Sequence, residues 1–212
     1  MKKFDSVVTD MDQVICASQT IHGNLESEVL AGFGHTVSPE VIAARFTGMG
    51  TEYVFEHYLG AGLVHAALEQ KERGLQMLTS RDIQEIKGAT RFYRKLSSIV
   101  CTGLASGSSI EFIDLVIRSL DLTSIFEAIA SGEEVAKGKP EPDVFLLALE
   151  RLGRDPRQCV IIEDGLSGII AAKKIGAIAV GITTSYDSKS LKESGADYVV
   201  DSFLEMEELF KL

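Results

Sequence analysis

From about Gly88 onward, short apolar runs rich in β-branched residues alternate with stretches of helical periodicity, and this alternation constrains the fold more than any other feature of the chain. The runs at 98–105, 126–131, 159–163, 178–182 and 198–200 have strand length and composition. Helical stretches at 110–120, 143–152 and 168–175 separate the first four of them. Such an alternation predicts an α/β fold in which a parallel sheet is covered by helices on both faces. A run of the same kind, 4–9, opens the chain. Between it and Gly88 the pattern is helical throughout, with stretches at 25–33, 41–46, 51–59 and 64–78. Ser38, Pro39 and Glu40 read there as an N-cap, a first helical position and an acidic first turn. The expectation is a core of residues 1–15 and 86–212 with an inserted all-helical module at 16–85.

Composition bounds the partners. With 212 residues, 45% of them hydrophobic and 25% charged, the chain has the make-up of an ordinary globular protein with a real core. No apolar stretch is long enough to span a bilayer. The start Met-Lys-Lys runs straight into the first strand, so no secretory signal is expected. Cys16, Cys101 and Cys159 are scattered thiols without metal-ligand spacing, which points to a reducing cytoplasm. A net charge of −10 argues against nucleic acid or an anionic membrane as partner. An anionic substrate requires local positive charge, so a lysine beside acids stands out.

Three of the strand runs end in reactive groups. The first ends at Asp10-Met11-Asp12, a pair of like charges that suits a divalent cation or a division between nucleophile and acid/base. A solvated strand end with Asp12 in a turn is the plainer alternative. The second ends at Ser106-Gly107-Ser108-Ser109, where Ser108 and Glu111 fit a capping box. That use leaves the Ser106 hydroxyl and the Gly107 N–H free to bind phosphate at a helix N-terminus. The third ends at Glu163-Asp164, whose oxygen-only chemistry points to Mg²⁺ rather than Zn²⁺. In a parallel sheet all three share one edge, where ligands bind. Lys139, held in Gly138-Lys139-Pro140-Glu141-Pro142, is the cation expected to offset these acids and a phosphoryl group.

Together these pieces resemble the haloacid dehalogenase superfamily in its phosphatase and phosphomutase branch. The matching stretches are Asp10-Met11-Asp12-Gln13-Val14-Ile15, Ala105-Ser106-Gly107-Ser108, Gly138-Lys139-Pro140-Glu141-Pro142-Asp143 and Ile162-Glu163-Asp164-Gly165 with Gly168 and Ala172, in the family's order. The resemblance implies a Rossmann-like core with a helical cap and covalent phosphoryl transfer. It makes Asp10 the nucleophile and Asp12 the proton donor and acceptor. It assigns Mg²⁺ to Asp10, the backbone carbonyl of Asp12, Asp164 and Glu163, and the phosphoryl oxygens to Ser106, Gly107 and Lys139.

The details point to a branch. An acid at position 12 disfavours dehalogenation, and the absence of lysine from 41–60 disfavours phosphonate cleavage through a Schiff base. Sugar-phosphate mutases of this type carry Lys and Asn after the motif serine and an Arg in the cap. Ser109, Ile110 and Thr51 stand at those places, so water is the expected acceptor. Gln13, Ala17 and Lys87 replace the usual Gly, Asp and Pro. Expected substrate contacts are His22, Arg45, Gly48 and Thr51. The reading is a magnesium-dependent phosphatase, monomeric or weakly dimeric, acting on a small phosphorylated metabolite such as a sugar or sugar-acid phosphate. A mutase and a non-catalytic binding scaffold are the alternatives.

Overall fold

The computed structural model describes residues 4–46 and 50–212; Gly48, one of the expected substrate contacts, lies outside the described residues. Six strands, β1 (Ser6–Thr9), β2 (Cys101–Ser106), β3 (Ala128–Ser131), β4 (Cys159–Glu163), β5 (Ile178–Ile182) and β6 (Tyr198–Val200), form one all-parallel sheet in the order β3-β2-β1-β4-β5-β6. The chain winds outward from β1 through β2 to β3, then returns to place β4 on the other side of β1. That reversal makes the carboxyl ends of β1, β2 and β4 the natural crevice of this Rossmann-like sheet.

Alternation along the strands builds two cores. Val7, Leu104 and Ile162 pack with α5 (Ala89–Leu96), α6 (Ile110–Ser119) and α10 (Phe203–Phe210), around Phe92, Tyr93 and Phe112. Val8, Ala105 and Ile161 face α7 (Asp143–Leu152), α8 (Leu166–Lys174) and α9 (Ser188–Glu193). Strands covered on both faces explain why their sequences are apolar runs rather than alternating ones.

Four helices, α1 (Ser18–Gly32), α2 (Pro39–Phe46), α3 (Thr51–Leu59) and α4 (Val64–Gln76), separate β1 from β2 and enclose their own core around Leu30, Ile42, Phe46 and Phe55. The chain enters and leaves this layer through two paired segments. Ala17 N–H donates to Gln84 O, and Ile86 N–H donates to Ile15 O, each at 2.8 Å. No helix among the described residues is long and apolar enough to cross a membrane.

Three differences from the sequence reading have physical causes. Helix α1 begins at Ser18, a turn and more before the apolar pattern at 25–33, because Ser18, Gln19, His22 and Gly23 of its first turns line the cleft and interrupt the apolar pattern. Strand β2 starts at Cys101; residues 98–100 instead form the turn after α5, with Ile99 and Val100 N–H both donating to Leu96 O. The short α9 carries only Leu191 as a buried apolar position and does not stand out, whereas α10, also outside the expected elements, buries Phe203 and Met206 fully.

Candidate active site

The three polar strand ends meet at one edge. Asp10 N–H donates to Ile162 O at 2.9 Å, which extends the β1–β4 ladder one residue and sets Asp10 level with Glu163. Lys139 enters from the loop before α7 and is mostly buried. Its Nζ donates to Asp10 Oδ1 at 2.5 Å and to Glu163 Oε1 at 2.6 Å. Glu163 Oε2 accepts the N–H groups of Asp164 and Gly165. A Cβ on Gly168 would fall 1.8 Å from Glu163 Oε1, so the first turn of α8 has room for this carboxylate only because residue 168 is glycine. Burial opposes the Lys139 charge, but Asp10 and Glu163 outweigh it and raise the ammonium above its usual range. Burial pushes the Asp10 carboxyl well up. Lys139 opposes this, while the charges of Glu163, Asp12 and Asp164 add to it.

Asp12 stands in the opposite condition. Its Oδ2 accepts the Ser106 and Ser108 hydroxyls, both at 2.8 Å. Its Oδ1 accepts the Ser18 hydroxyl at 2.6 Å and lies 3.4 Å from His22 Nε2. Burial acts to raise this carboxyl, yet the bonds from His22, Ser18 and Ser108 hold it well below the usual carboxylate range. The capping box expected at Ser108 and Glu111 does not form. Ser109 is the N-cap residue and makes no side-chain cap bond, while Glu133 accepts Ile110 N–H at 3.1 Å. The bond that the Ser108 hydroxyl donates to the ionised Asp12 is charge-assisted, and stronger than one its oxygen would accept from a neutral backbone N–H. The Ser106 hydroxyl, expected to be free, is likewise engaged by Asp12 and accepts Ser108 N–H at 3.0 Å. Gly107 is exposed and lines the cleft, with open space where a side chain would stand.

Asp10, Glu163 and Asp164 each offer a carboxylate oxygen within 4.8 Å of the others. Burial and the charge of Glu163 push Asp164 up to about 7, against the Ser185 hydroxyl bonded to it and Lys139. Three buried acids facing one lysine leave an excess of negative charge that a divalent cation would balance, and an all-oxygen donor set fits Mg²⁺. The Asp12 carboxylate is not part of this group.

A cleft of about 740 Å³ opens above these residues, between the strand ends and the helical layer. Of the expected substrate contacts, His22 and Thr51 line it. Arg45 does not: it is exposed on α2, with its guanidinium 5.5 Å from the Phe46 ring centre. The residue turns outward because Ile42 and Phe46 supply the buried face of that helix. The structure adds residues that the sequence did not single out. Ser18 and Ser185 hold Asp12 and Asp164. Glu26 and Lys71 bond to one another and to the expected Thr51 in the cleft wall. Ser185 lies just beyond the end of β5, so the strand-end rule applied to a fourth strand points to it. Glu26 and Lys71 carried no local signal, since a lone charge in a helical stretch reads as an exposed face.

The sequence matches the model of the haloacid dehalogenase-like hydrolases over residues 4–176. A bifunctional riboflavin kinase/FMN phosphatase of Arabidopsis thaliana is 36% identical over 126 residues, covering 58% of this chain but 33% of that protein. A phosphorylated carbohydrates phosphatase of Thermotoga maritima is 27% identical over 91% of this chain and 92% of its own length. A beta-phosphoglucomutase of Bacillus subtilis is 36% identical over 63% of this chain and 57% of its own. Among solved structures, a hydrolase of this family from Deinococcus radiodurans R1 with bound phosphate and sodium superimposes with a TM-score of 0.75 at 25% identity, covering 99% of this chain and 96% of that one. The family match spans most of the chain and contains all four segments that meet at the sheet edge, and the chain therefore belongs to the haloacid dehalogenase-like hydrolases.

Proposed function

We propose that this protein is a magnesium-dependent phosphatase that hydrolyses a small phosphorylated metabolite of carbohydrate type through a phosphorylated Asp10. The observation that carries the reading is the contact of Lys139 with Asp10 at 2.5 Å inside the acidic group of Glu163 and Asp164, beside an independently held Asp12. Asp10 Oδ attacks phosphorus while the bond to the leaving oxygen breaks, and Asp12 delivers a proton to that oxygen. Asp12 then takes a proton from water as the water attacks phosphorus, and phosphate leaves Asp10. The free-state Asp12 is held ionised by His22, Ser18 and Ser108, so its proton is acquired only when a substrate fills the cleft and loosens those bonds. Lys139 and the Gly107 N–H meet charge on the transferring oxygens, joined by the Ser106 hydroxyl once it turns from Asp12. Asp10, Asp164 and the Asp12 carbonyl, with Glu163 adjacent, would hold Mg²⁺, which would supply charge neutralisation. In this reading residues 16–85 are the cap and residues 1–15 and 86–212 the catalytic core.

Transfer to a second sugar phosphate is the competing reading, favoured by the likeness to a mutase. The chain has Ser109 and Ile110 after its motif serine and Thr51 in the cap, which offer no fixed positive charge to a second phosphate. Water as acceptor accords with that. The test is magnesium-dependent hydrolysis of para-nitrophenyl phosphate, with a drop of about 10³-fold or more in Asp10→Asn. Acid quenching during turnover leaves phosphate on the Asp10 peptide. Inactivity of clean, magnesium-loaded protein overturns the proposal.

A further inference from the structure

The helical part of the cleft wall carries a buried ion pair that the transfer chemistry does not use. Lys71 Nζ lies 2.8 Å from Glu26 Oε1, and each side chain is 8% exposed. The Thr51 hydroxyl donates to the same Glu26 oxygen at 2.6 Å and accepts from Lys71. These residues come from α1, α3 and α4, and all three line the cleft. A buried ion pair is a poor source of stability compared with apolar packing, so its place in the wall of a ligand cleft calls for another account.

We infer that Glu26, Lys71 and Thr51 make the cleft select an uncharged, hydroxyl-bearing leaving group and reject one that carries a second anionic group. This rests on the phosphatase reading above and names its substrate class. Lys71 is the one Lys or Arg side chain among the described lining residues, against six carboxylates. Glu26 already offsets its charge, so the cap has no net positive charge to offer. A carboxylate or second phosphate entering there meets acids rather than a spare cation: Glu72 of α4 lines the cleft, and the neighbouring Arg73 lies 4.0 Å from Glu69 and outside the lining. A hydroxyl meets what it needs. Lys71 presents three N–H donors, two of them used by Glu26 and Thr51 among the described residues, and the Glu26 carboxylate accepts. The apolar wall of Ile42, Phe46 and Val54 suits the carbon face of a polyol or sugar. Buried groups built to bond hydroxyls discriminate strongly, because the wrong ligand leaves them unpaired.

Two probes of equal length separate the classes. D-glucitol 6-phosphate and 6-phosphogluconate differ only at the far carbon, a hydroxymethyl in one and a carboxylate in the other. Titration calorimetry with the magnesium-loaded Asp10→Asn chain is expected to give a Kd at least about tenfold lower for the glucitol ester. Adding Glu26→Gln leaves the Lys71 charge uncompensated, and the ratio is expected to narrow by about tenfold or reverse through tighter binding of the acid. The first comparison leaves residues 26, 51 and 71 untouched, so it stands even if the Glu26 variant fails to fold. Equal or tighter binding of 6-phosphogluconate, or no binding of either ester, overturns the inference. Loss of the phosphatase reading shows separately, as failure of the unsubstituted chain to hydrolyse para-nitrophenyl phosphate while the binding preference persists.

Discussion

Asp10 and Asp12 are two residues apart and chemically alike, yet their surroundings drive them in opposite directions. Asp10 sits among other acids with one ammonium, whereas Asp12 is ringed by three serine hydroxyls and His22. Both acids and Lys139 were legible from the sequence, because they close strand ends or sit in a stiff Pro-flanked loop. The serines around Asp12 were not, since Ser18 and Ser108 reach it from 6 and 96 residues away. Replacing Lys139 by Met strands Asp10 and Glu163 as buried, unpaired carboxylates. Lys139→Met is expected to cost about 3–5 kcal/mol and to abolish phosphatase activity, read by denaturant titration and para-nitrophenyl phosphate assay. Little change in stability would show that the ion pair is not formed in solution. Gln13 occupies the left-handed region at φ 56°, and its side chain pairs with the amide and side chain of Gln19 at the start of α1. A β-branched side chain tolerates that backbone poorly, so Gln13→Val is expected to lose about 1–2 kcal/mol, while Gln13→Gly is expected to be milder in the same titration.

At the scale of elements, the site depends on how closely strand ends and helix starts approach. Gly168 opens the first turn of α8 to the Glu163 carboxylate, which in turn holds Lys139. Gly168→Ala is expected to displace Glu163, to destabilise the fold by about 1–3 kcal/mol and to lower kcat more than KM. Unaltered kcat in a folded Gly168→Ala protein would remove Glu163 from the chain of support. A second link lies beyond β3, where Glu134 accepts Ser131 N–H at 2.9 Å and pairs with Arg151 of α7 at 2.7 Å. The Arg151 bond, then Ser131, lowers the Glu134 carboxyl to about 2 from its ordinary value of 4.5. A depressed acid stabilises the fold above its unfolded value, and that contribution disappears as pH falls from about 4.5 toward 2. Glu134→Gln is therefore expected to flatten the loss of melting temperature across that acid range and to lower it at neutral pH. Because the pair is about one-third exposed, solvent screening keeps the effect small. The strands and most helices were legible from their periods; Glu134–Arg151 was not, because it joins elements 17 residues apart.

For the whole molecule, the site is assembled from the sheet edge below and a helical layer that enters and leaves through one paired hinge at residues 15–17 and 84–86. A cation that binds the three acids only when the core is folded stabilises the whole chain. Magnesium at 100 times its Kd is expected to add about 2.7 kcal/mol to unfolding, seen as a rise in melting temperature over chelator-treated protein. Asp164→Asn should suppress that rise; an undiminished rise would place the metal elsewhere. By itself the sequence determined the parallel α/β core, the helical stretch between its first two strands and the four segments that meet at the sheet edge, because strand ends, turn residues and periodic apolar positions are local signals. Only the tertiary structure decided that Ser108 serves Asp12 rather than its own helix, that Arg45 faces away from the cleft, and that Glu26, Lys71 and Thr51 form one cluster in its wall. The first and last of those outcomes rest on which charge, distant in the chain, a side chain meets, and the second on which face of α2 is buried by Ile42 and Phe46; none of these exists before the elements pack.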